Sequence, residues 1–244
     1  MRNVQVLPDG RIMFHAGNYY PYVWGFQDGS PFDVTAFKST FDSRGLSVGA
    51  SISGLIGGSD GKRYYMVWNS GLIDMYVLGS AYDLAYQSSR ANVLGGNSIV
   101  NVAFSADGTK FFHKAGNDQT DPHLLYVRHL STAWDLTTAG DADSLSLRTL
   151  VDNEVAGTWR GFSFSPDGSV LLVIRQPSST DCRIIKAMLS TPFDVSTASV
   201  SSTSGNMYNE TDGHVNCVAV NGSGSRMLAY YAASRKFLQY DLTA

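Results

Sequence analysis

A short segment ending in Asp-Gly recurs along this chain and constrains its fold before any single residue is weighed. The copies are Gln5-Val6-Leu7-Pro8-Asp9-Gly10, Ile56-Gly57-Gly58-Ser59-Asp60-Gly61, Ala103-Phe104-Ser105-Ala106-Asp107-Gly108 and Ser163-Phe164-Ser165-Pro166-Asp167-Gly168, with a degraded copy at Ala219-Val220-Asn221-Gly222-Ser223-Gly224. Their starts lie roughly 50 residues apart, the period of solenoids, propellers and other arrays. A residue repeated in this way has a structural role first. Asp9, Gly10, Asp60, Gly61, Asp107, Gly108, Asp167 and Gly168 therefore read as turn residues. Gly supplies the positive φ of a turn, and Asp hydrogen-bonds its own downstream backbone.

A second signature follows the first: Ser30-Pro31-Phe32-Asp33-Val34, Ser80-Ala81-Tyr82-Asp83-Leu84, Thr132-Ala133-Trp134-Asp135-Leu136 and Thr191-Pro192-Phe193-Asp194-Val195. Between the signatures lie short apolar runs bounded by turn residues, the pattern of strands in hairpins. Val102–Phe104 and Lys110–His113 flank one Asp-Gly turn, and Val170–Ile174 follows another. Third strands are expected at Leu124–Leu130, Ile184–Leu189 and Lys236–Leu242, and a fourth at Ser144–Leu150. No long segment carries apolar residues at helical spacing; Ala81–Ala91 comes nearest, and its neighbours are of β type.

Four antiparallel strands per unit of this length make one propeller blade. The expectation is an all-β, five-bladed β-propeller filling residues 1–244 as one domain, with repeats at about 1–50, 51–97, 98–157, 158–213 and 214–244. The chain enters on the first strand of blade one and ends on the third of blade five. That gives about 19 strands and a last blade lacking its outer strand. The simpler reading is a last blade of three strands; the alternative is that its open edge is completed by an edge-strand partner or in a homo-oligomer.

Charged residues make up 16% of the chain and the net charge is −3. With no basic run, a nucleic-acid surface is not expected. No apolar run reaches membrane-spanning length, and the start shows no signal peptide, so membrane insertion and signal-led export are not expected. Cys182 and Cys217 fall in strands of neighbouring blades and read as two separate buried thiols.

Catalytic chemistry finds little support. Glycoside hydrolysis needs two carboxylates. Acidic residues that break the repeat are Asp74, Asp118, Asp121, Asp152, Glu154, Asp181, Glu210 and Asp212. Glu154 and Glu210 hold equivalent places before blades four and five, which reads as repeat structure. His15 and His113 are likewise equivalent strand positions. With His123, His129 and His214 they form no metal-ligand spacing, so no metal or cofactor is expected. Asn117–Asp121 reads as a plain hairpin loop, and Gly54–Gly61 lacks the Lys of a phosphate-binding loop. Aromatic residues make up 12%, with 13 Tyr among them, and exposed Tyr suits sugars and protein partners. Contact candidates are Tyr19, Tyr20, Tyr22, Trp24, Trp68, Trp159, Arg160, Tyr208, Tyr230 and Tyr231. Blade packing is the competing role, most strongly for Trp68, Trp159 and Tyr230.

Phe164-Ser165-Pro166-Asp167-Gly168 alone resembles the turns of many propellers, WD40 and TolB-like repeats included. Joined to Leu189-Ser190-Thr191-Pro192-Phe193-Asp194-Val195-Ser196-Thr197-Ala198, it resembles the repeat arrays of bacteriophage structural and tail-fibre-associated proteins. The resemblance implies a non-enzymatic virion component, localised to the virion. Its implied partners are other virion proteins and a host surface polysaccharide or receptor. A structural scaffold and a glycan-degrading enzyme are the alternatives.

Overall fold

The structure is a computed structural model describing residues 4–6, 12–16, 21–26, 37–42, 52–58, 62–68, 70–78, 87–94, 99–115, 124–151, 157–221, 225–231, 233–234 and 236–242; up to residue 55, over 87–94 and at 78, 100, 115, 149 and 151 the description is of the backbone. Asp9, Gly10, Asp60 and Gly61 lie outside the described residues, as do Ser30–Val34, Ser80–Leu84 and Asn117–Asp121.

Nineteen strands form five antiparallel sheets among the described residues, each a simple meander. The first sheet holds β1 (Val4–Val6), β2 (Ile12–Ala16), β3 (Pro21–Phe26) and β4 (Phe37–Asp42). The second holds β5 (Ile52–Gly57), β6 (Arg63–Trp68), β7 (Ile73–Leu78) and β8 (Gln87–Leu94). The third holds β9 (Ile99–Phe104), β10 (Lys110–Ala115), β11 (Leu124–Leu130) and β12 (Ala139–Ser146). The fourth holds β13 (Thr158–Phe164), β14 (Val170–Ser178), β15 (Asp181–Leu189) and β16 (Ala198–Thr203). The fifth has three strands, β17 (Val215–Val220), β18 (Arg226–Tyr231) and β19 (Lys236–Asp241). The first strands neighbour one another in chain order, β1 to β5 to β9 to β13 to β17, and β17 also lies beside β1.

One expected boundary is corrected. The fourth strand of the third sheet is Ala139–Ser146 rather than Ser144–Leu150, because Leu147–Val151 winds into a 3-10 turn that buries Leu147 and Leu150. The short 3-10 turns leave no described helix long and apolar enough to cross a membrane.

The Asp-Gly turn is a four-residue loop. Ser105 accepts from the Gly108 N–H at 2.9 Å, and Gly108 takes φ of 72°. The Ser105 hydroxyl donates to Asp107 Oδ1 at 2.6 Å and accepts from the Lys110 N–H at 2.9 Å, while Asp107 Oδ1 accepts from the Thr109 N–H at 3.0 Å. Ser165, Asp167, Ser169 and Val170 repeat this network. In the degraded copy Asn221 takes the place of Ser, its Oδ1 accepting from the N–H groups of Ser225 and Arg226 at 2.9 Å each.

The second signature folds onto the first. Trp134 and Phe193 adopt positive φ, 65° and 57°, and donate their N–H to the carbonyls of Gly108 and Gly168 at 2.9 and 3.0 Å. Each ring then covers its glycine. A Cβ on Gly168 would lie 2.2 Å from Phe193 Cδ2, and one on Gly108 2.3 Å from Trp134 Cε2. Asp135 and Asp194 cap the 3-10 turns that follow, accepting from the N–H of Thr137 and Ser196. Hydroxyl bonds hold several of these aspartates below the usual carboxylate range. The Ser105 hydroxyl does so for Asp107, and the Ser196 hydroxyl for Asp194. For Asp167, burial pushes upward, but the bonds from Ser165 and Ser169 outweigh it.

The same rings join neighbouring sheets. Tyr65 of the second sheet packs on Phe104 of the third at 4.8 Å, and Phe104 on Trp134 at 5.0 Å. One sheet on, Phe112 packs on Phe164 at 4.6 Å and Phe164 on Phe193 at 5.4 Å. Polar staples cross the same seams. The Tyr65 hydroxyl donates to the Trp134 carbonyl, and Lys110 Nζ donates to the Phe193 carbonyl at 3.3 Å. Between the fourth and fifth sheets the core is aliphatic, built on Leu172, Ile174, Val218, Val220 and Ala229. Cys182 in this core and Cys217 in β17 are buried and not joined by a disulfide, as expected, with burial pushing the Cys217 thiol up to about 12.

This geometry generates a stability prediction. Gly168→Ala forces a methyl into the Phe193 ring as well as an L-residue into positive φ. In the Phe193→Ala background only the backbone cost remains, about 1–2 kcal/mol. Urea unfolding of the two single variants and the double should show strong non-additivity, with Gly168→Ala milder in the ring-less background. Strict additivity would mean the ring and the glycine are uncoupled.

Candidate functional site

Strand direction divides each sheet into two ends. In the third and fourth sheets both signature turns lie at one end, where their polar groups are consumed by the network above. The other end carries the hairpins between second and third strands and the crossovers between sheets. The crossover from β16 to β17 is the longest described one and is firmly built. Asn206 Oδ1 accepts from the N–H groups of Cys182 and Tyr208, each at 2.9 Å, and Asn206 Nδ2 donates to the Thr180 carbonyl at 2.8 Å. Asn209 and Gly213 exchange backbone bonds, with Gly213 at φ of 77° to close the turn.

At this end the inner strands share a further feature. The β13–β14 register skips Arg160, the β17–β18 register skips Asn216, β5–β6 skips Ser53, and β9–β10 skips Val100. These are equivalent positions, counted from the Asp-Gly turn. A bulge of this kind leaves one residue out of the ladder and re-aims its side chain.

Arg160 is the charged member of this set. Its Nε donates to Gln176 Oε1, and Gln176 Nε2 lies 2.9 Å from His214 Nε2. With the Gln176 oxygen occupied by Arg160, its amide N–H donates to His214, which is therefore the acceptor at Nε2. Burial, and then the Arg160 charge, lower the His214 pKa and favour that neutral form. The half-buried Tyr208 ring sits 4.9 Å from the His214 ring. Arg160, Gln176, His214 and Tyr208 thus form one connected group at the seam between the fourth and fifth sheets.

The ten contact candidates separate on this geometry. Tyr19 and Tyr20 lie outside the described residues, and Tyr22 and Trp24 are placed in β3 by backbone. Trp68, Trp159, Tyr230 and Tyr231 are corrected to packing residues, because all four are buried. Trp68 Nε1 donates to the buried Asp74 at 2.7 Å, Trp159 belongs to the core of the third and fourth sheets, and the Tyr231 hydroxyl bonds that of Tyr240 at 2.8 Å. Arg160 and Tyr208 come together. Gln176 and His214 escaped sequence reasoning. The available signal was the broken alternation of Trp159-Arg160-Gly161-Phe162 and Val215-Asn216-Cys217-Val218, which marks the bulges.

The acidic residues also separate. Asp74 accepts from Trp68, Asp181 pairs with Arg183 at 3.0 Å, and Asp212 pairs with Lys236 at 3.4 Å. Glu210 is exposed, and Asp118, Asp121, Asp152 and Glu154 lie outside the described residues, as do His15's side chain and His123. Among the described residues no group of three or more His, Cys, Asp and Glu is placed to hold a metal ion. His113 is a packing residue, its ring stacked between Phe111 at 5.7 Å and Tyr126 at 5.0 Å.

No family model matches the chain, and no curated protein does. Solved structures do. The β-propeller domain of Myceliophteria thermophila Cps50 (Swd1) superposes with a TM-score of 0.51 at 9% identity, covering 98% of this chain and 83% of that one. A functionally unknown protein from Desulfotomaculum acetoxidans matches with 0.50 at 14% identity, over 99% of this chain and 68% of that one. A Bacteroides uniformis protein provisionally named a 6-phosphogluconolactonase matches with 0.52 at 13%, over 97% and 65%. At these identities the likeness shows the fold alone: this chain is an all-β protein of propeller type.

Burial first, and Arg128 second, push the His113 pKa down from 6.5 to about 4. The folded state therefore holds the neutral ring more tightly than the unfolded chain does. His113's contribution is complete above pH 6.5 and is lost progressively as pH falls toward 4, to a total of roughly 3 kcal/mol. His113→Phe should flatten stability across that window, read as urea midpoints from pH 7 to 4. An unchanged slope would show that other groups carry it.

Proposed function

We infer that the five sheets are five blades of a single closed propeller. On this reading the protein is a non-enzymatic component of a phage virion, attached to a tail or fibre. It binds a host surface glycan or receptor, or another virion protein, through the crossover end. The observation that carries this is the segregation of the two ends. The repeated residues are spent on turns at one end, while the residues that differ between repeats gather at the other. A rigid scaffold with variable loops at one face is the general arrangement of a binding protein.

The virion assignment draws its support from the paired signatures around Gly168 and Phe193, and from their resemblance to phage repeat arrays. The non-enzymatic reading draws support from the carboxylates. Asp74, Asp181 and Asp212 are each engaged by a neighbouring side chain, which suits packing rather than acid and base roles.

A specific observation favours a second reading, the scaffold. Among the described residues β19 pairs with β18 at the edge of a three-stranded sheet, where the other sheets have four strands. An edge of this kind accepts a strand from a neighbouring subunit.

The purified chain should be retained on particular bacterial cells or their extracted surface polysaccharides without releasing reducing ends. Release would establish an enzyme. Absence of retention on every surface, with oligomers through β19, would establish the scaffold instead.

A further inference from the structure

We propose that Arg160 anchors an anion-recognition site at the crossover end, and that the surface polysaccharide bound there is an acidic one, carrying carboxylate or phosphate groups. The inference rests on the glycan-binding reading above and adds the chemical class of the glycan.

The argument begins with position. Arg160 is the residue left out of the β13–β14 ladder, on the ring of first strands and at the end where the repeats differ. The equivalent bulged residues of the second, third and fifth sheets are Ser53, Val100 and Asn216, none of them charged. Among the four described bulges, Arg160 is therefore the one that carries a cation.

The guanidinium is also held in a way that leaves it available. Its Nε donates to Gln176, a neutral amide, so the bond orients the group without cancelling its charge. The two terminal nitrogens form the fork that meets a carboxylate or phosphate side-on. Among the described residues no carboxylate pairs with Arg160. The contrast with its neighbours is direct. Arg183 is taken by Asp181 at 3.0 Å, and Arg226 by Asp241 at 3.5 Å. The Arg160 charge is felt locally: it helps to lower the pKa of His214 and acts downward on the Cys182 thiol.

The surroundings complete a sugar-acid site. Gln176 is fixed on its far side by His214, so the Arg160 orientation is backed by a second residue. Tyr208, half-buried between the His214 ring and the core of the fourth and fifth sheets, adds aromatic surface of the kind pyranose rings stack upon. Its own position is set by the Asn206 side chain. The chain as a whole carries a net charge of −3, so bulk charge repels polyanions, and attraction must come from a local cation.

The test measures binding of the purified chain to polygalacturonate, to a phosphodiester-linked polymer and to neutral dextran, alongside retention on cells. The variants are Arg160→Gln, Arg160→Lys and Gln176→Glu. The last gives Arg160 a carboxylate partner at the position of the Gln176 oxygen, at the loss of the Gln176 N–H bond to His214, and it decides the matter should Arg160→Gln fail to fold. The wild type should bind one of the anionic polymers and not dextran, and the one it prefers identifies carboxylate or phosphate as the recognised group. Arg160→Gln and Gln176→Glu should each weaken that binding about tenfold or more, the loss of a charge-assisted pair. Arg160→Lys should retain part of it. Undiminished binding by Arg160→Gln and Gln176→Glu, or equal binding to dextran, overturns the anion site while the glycan reading stands. No retention on any polymer or cell overturns both.

Discussion

An aromatic ring laid over a glycine holds the third and fourth sheets of this fold together. Phe193 covers Gly168 and Trp134 covers Gly108, each donating its own N–H to the glycine it covers. The contact ties the turn between the first two strands of a sheet to the turn between the last two. It explains why the two signatures occur together. The Asp-Gly turn needs Gly for its positive φ, and the ring needs the missing Cβ for its approach. The ring itself then becomes part of the wall against the preceding sheet, through Phe112 and Phe164 in one case and Tyr65 and Phe104 in the other. One local motif thus shapes a sheet and joins it to its neighbour.

Concentrating these bonds at one end frees the other. The crossover between β16 and β17, which is described throughout, is built on Asn206 rather than on this network. The bulges on the first strands belong to this end. Each removes one residue from the ladder without disturbing the pairing on either side, which allows Arg160 in one sheet and Val100 in another. Rigid strands also let a hydrogen-bonded chain such as Arg160–Gln176–His214 span two sheets, because the seam between the fourth and fifth is fixed by the aliphatic core beneath it.

Much of the architecture was legible in the sequence because repeats report structure directly. The strand Leu124–Leu130 is found where its apolar run lies, and Asp107 makes the bond to its downstream backbone that an Asp at that turn position implies. The fourth strand of the third sheet was misplaced because Leu147 and Leu150 look like strand residues but are buried from a 3-10 turn. The site was less legible. Trp68, Trp159, Tyr230 and Tyr231 have the composition of a binding face, yet all are buried; an aromatic side chain reads the same whether it meets a ligand or a neighbouring sheet.

The sequence by itself determined the repeat, its turns, the β character of each unit and the separation of conserved-in-repeat from variable residues, because these depend on contacts a few residues apart and on backbone limits local to Gly and Asp. In the degraded fifth copy the structure shows Asn221 supplying the acceptor that Ser165 supplies elsewhere. Tertiary structure alone decided which aromatics are covered, that Cys182 and Cys217 remain separate thiols, and that Arg160, Gln176, Tyr208 and His214 meet. Those outcomes depend on how one sheet lies against the next, a relation between residues tens of positions apart that no local pattern encodes.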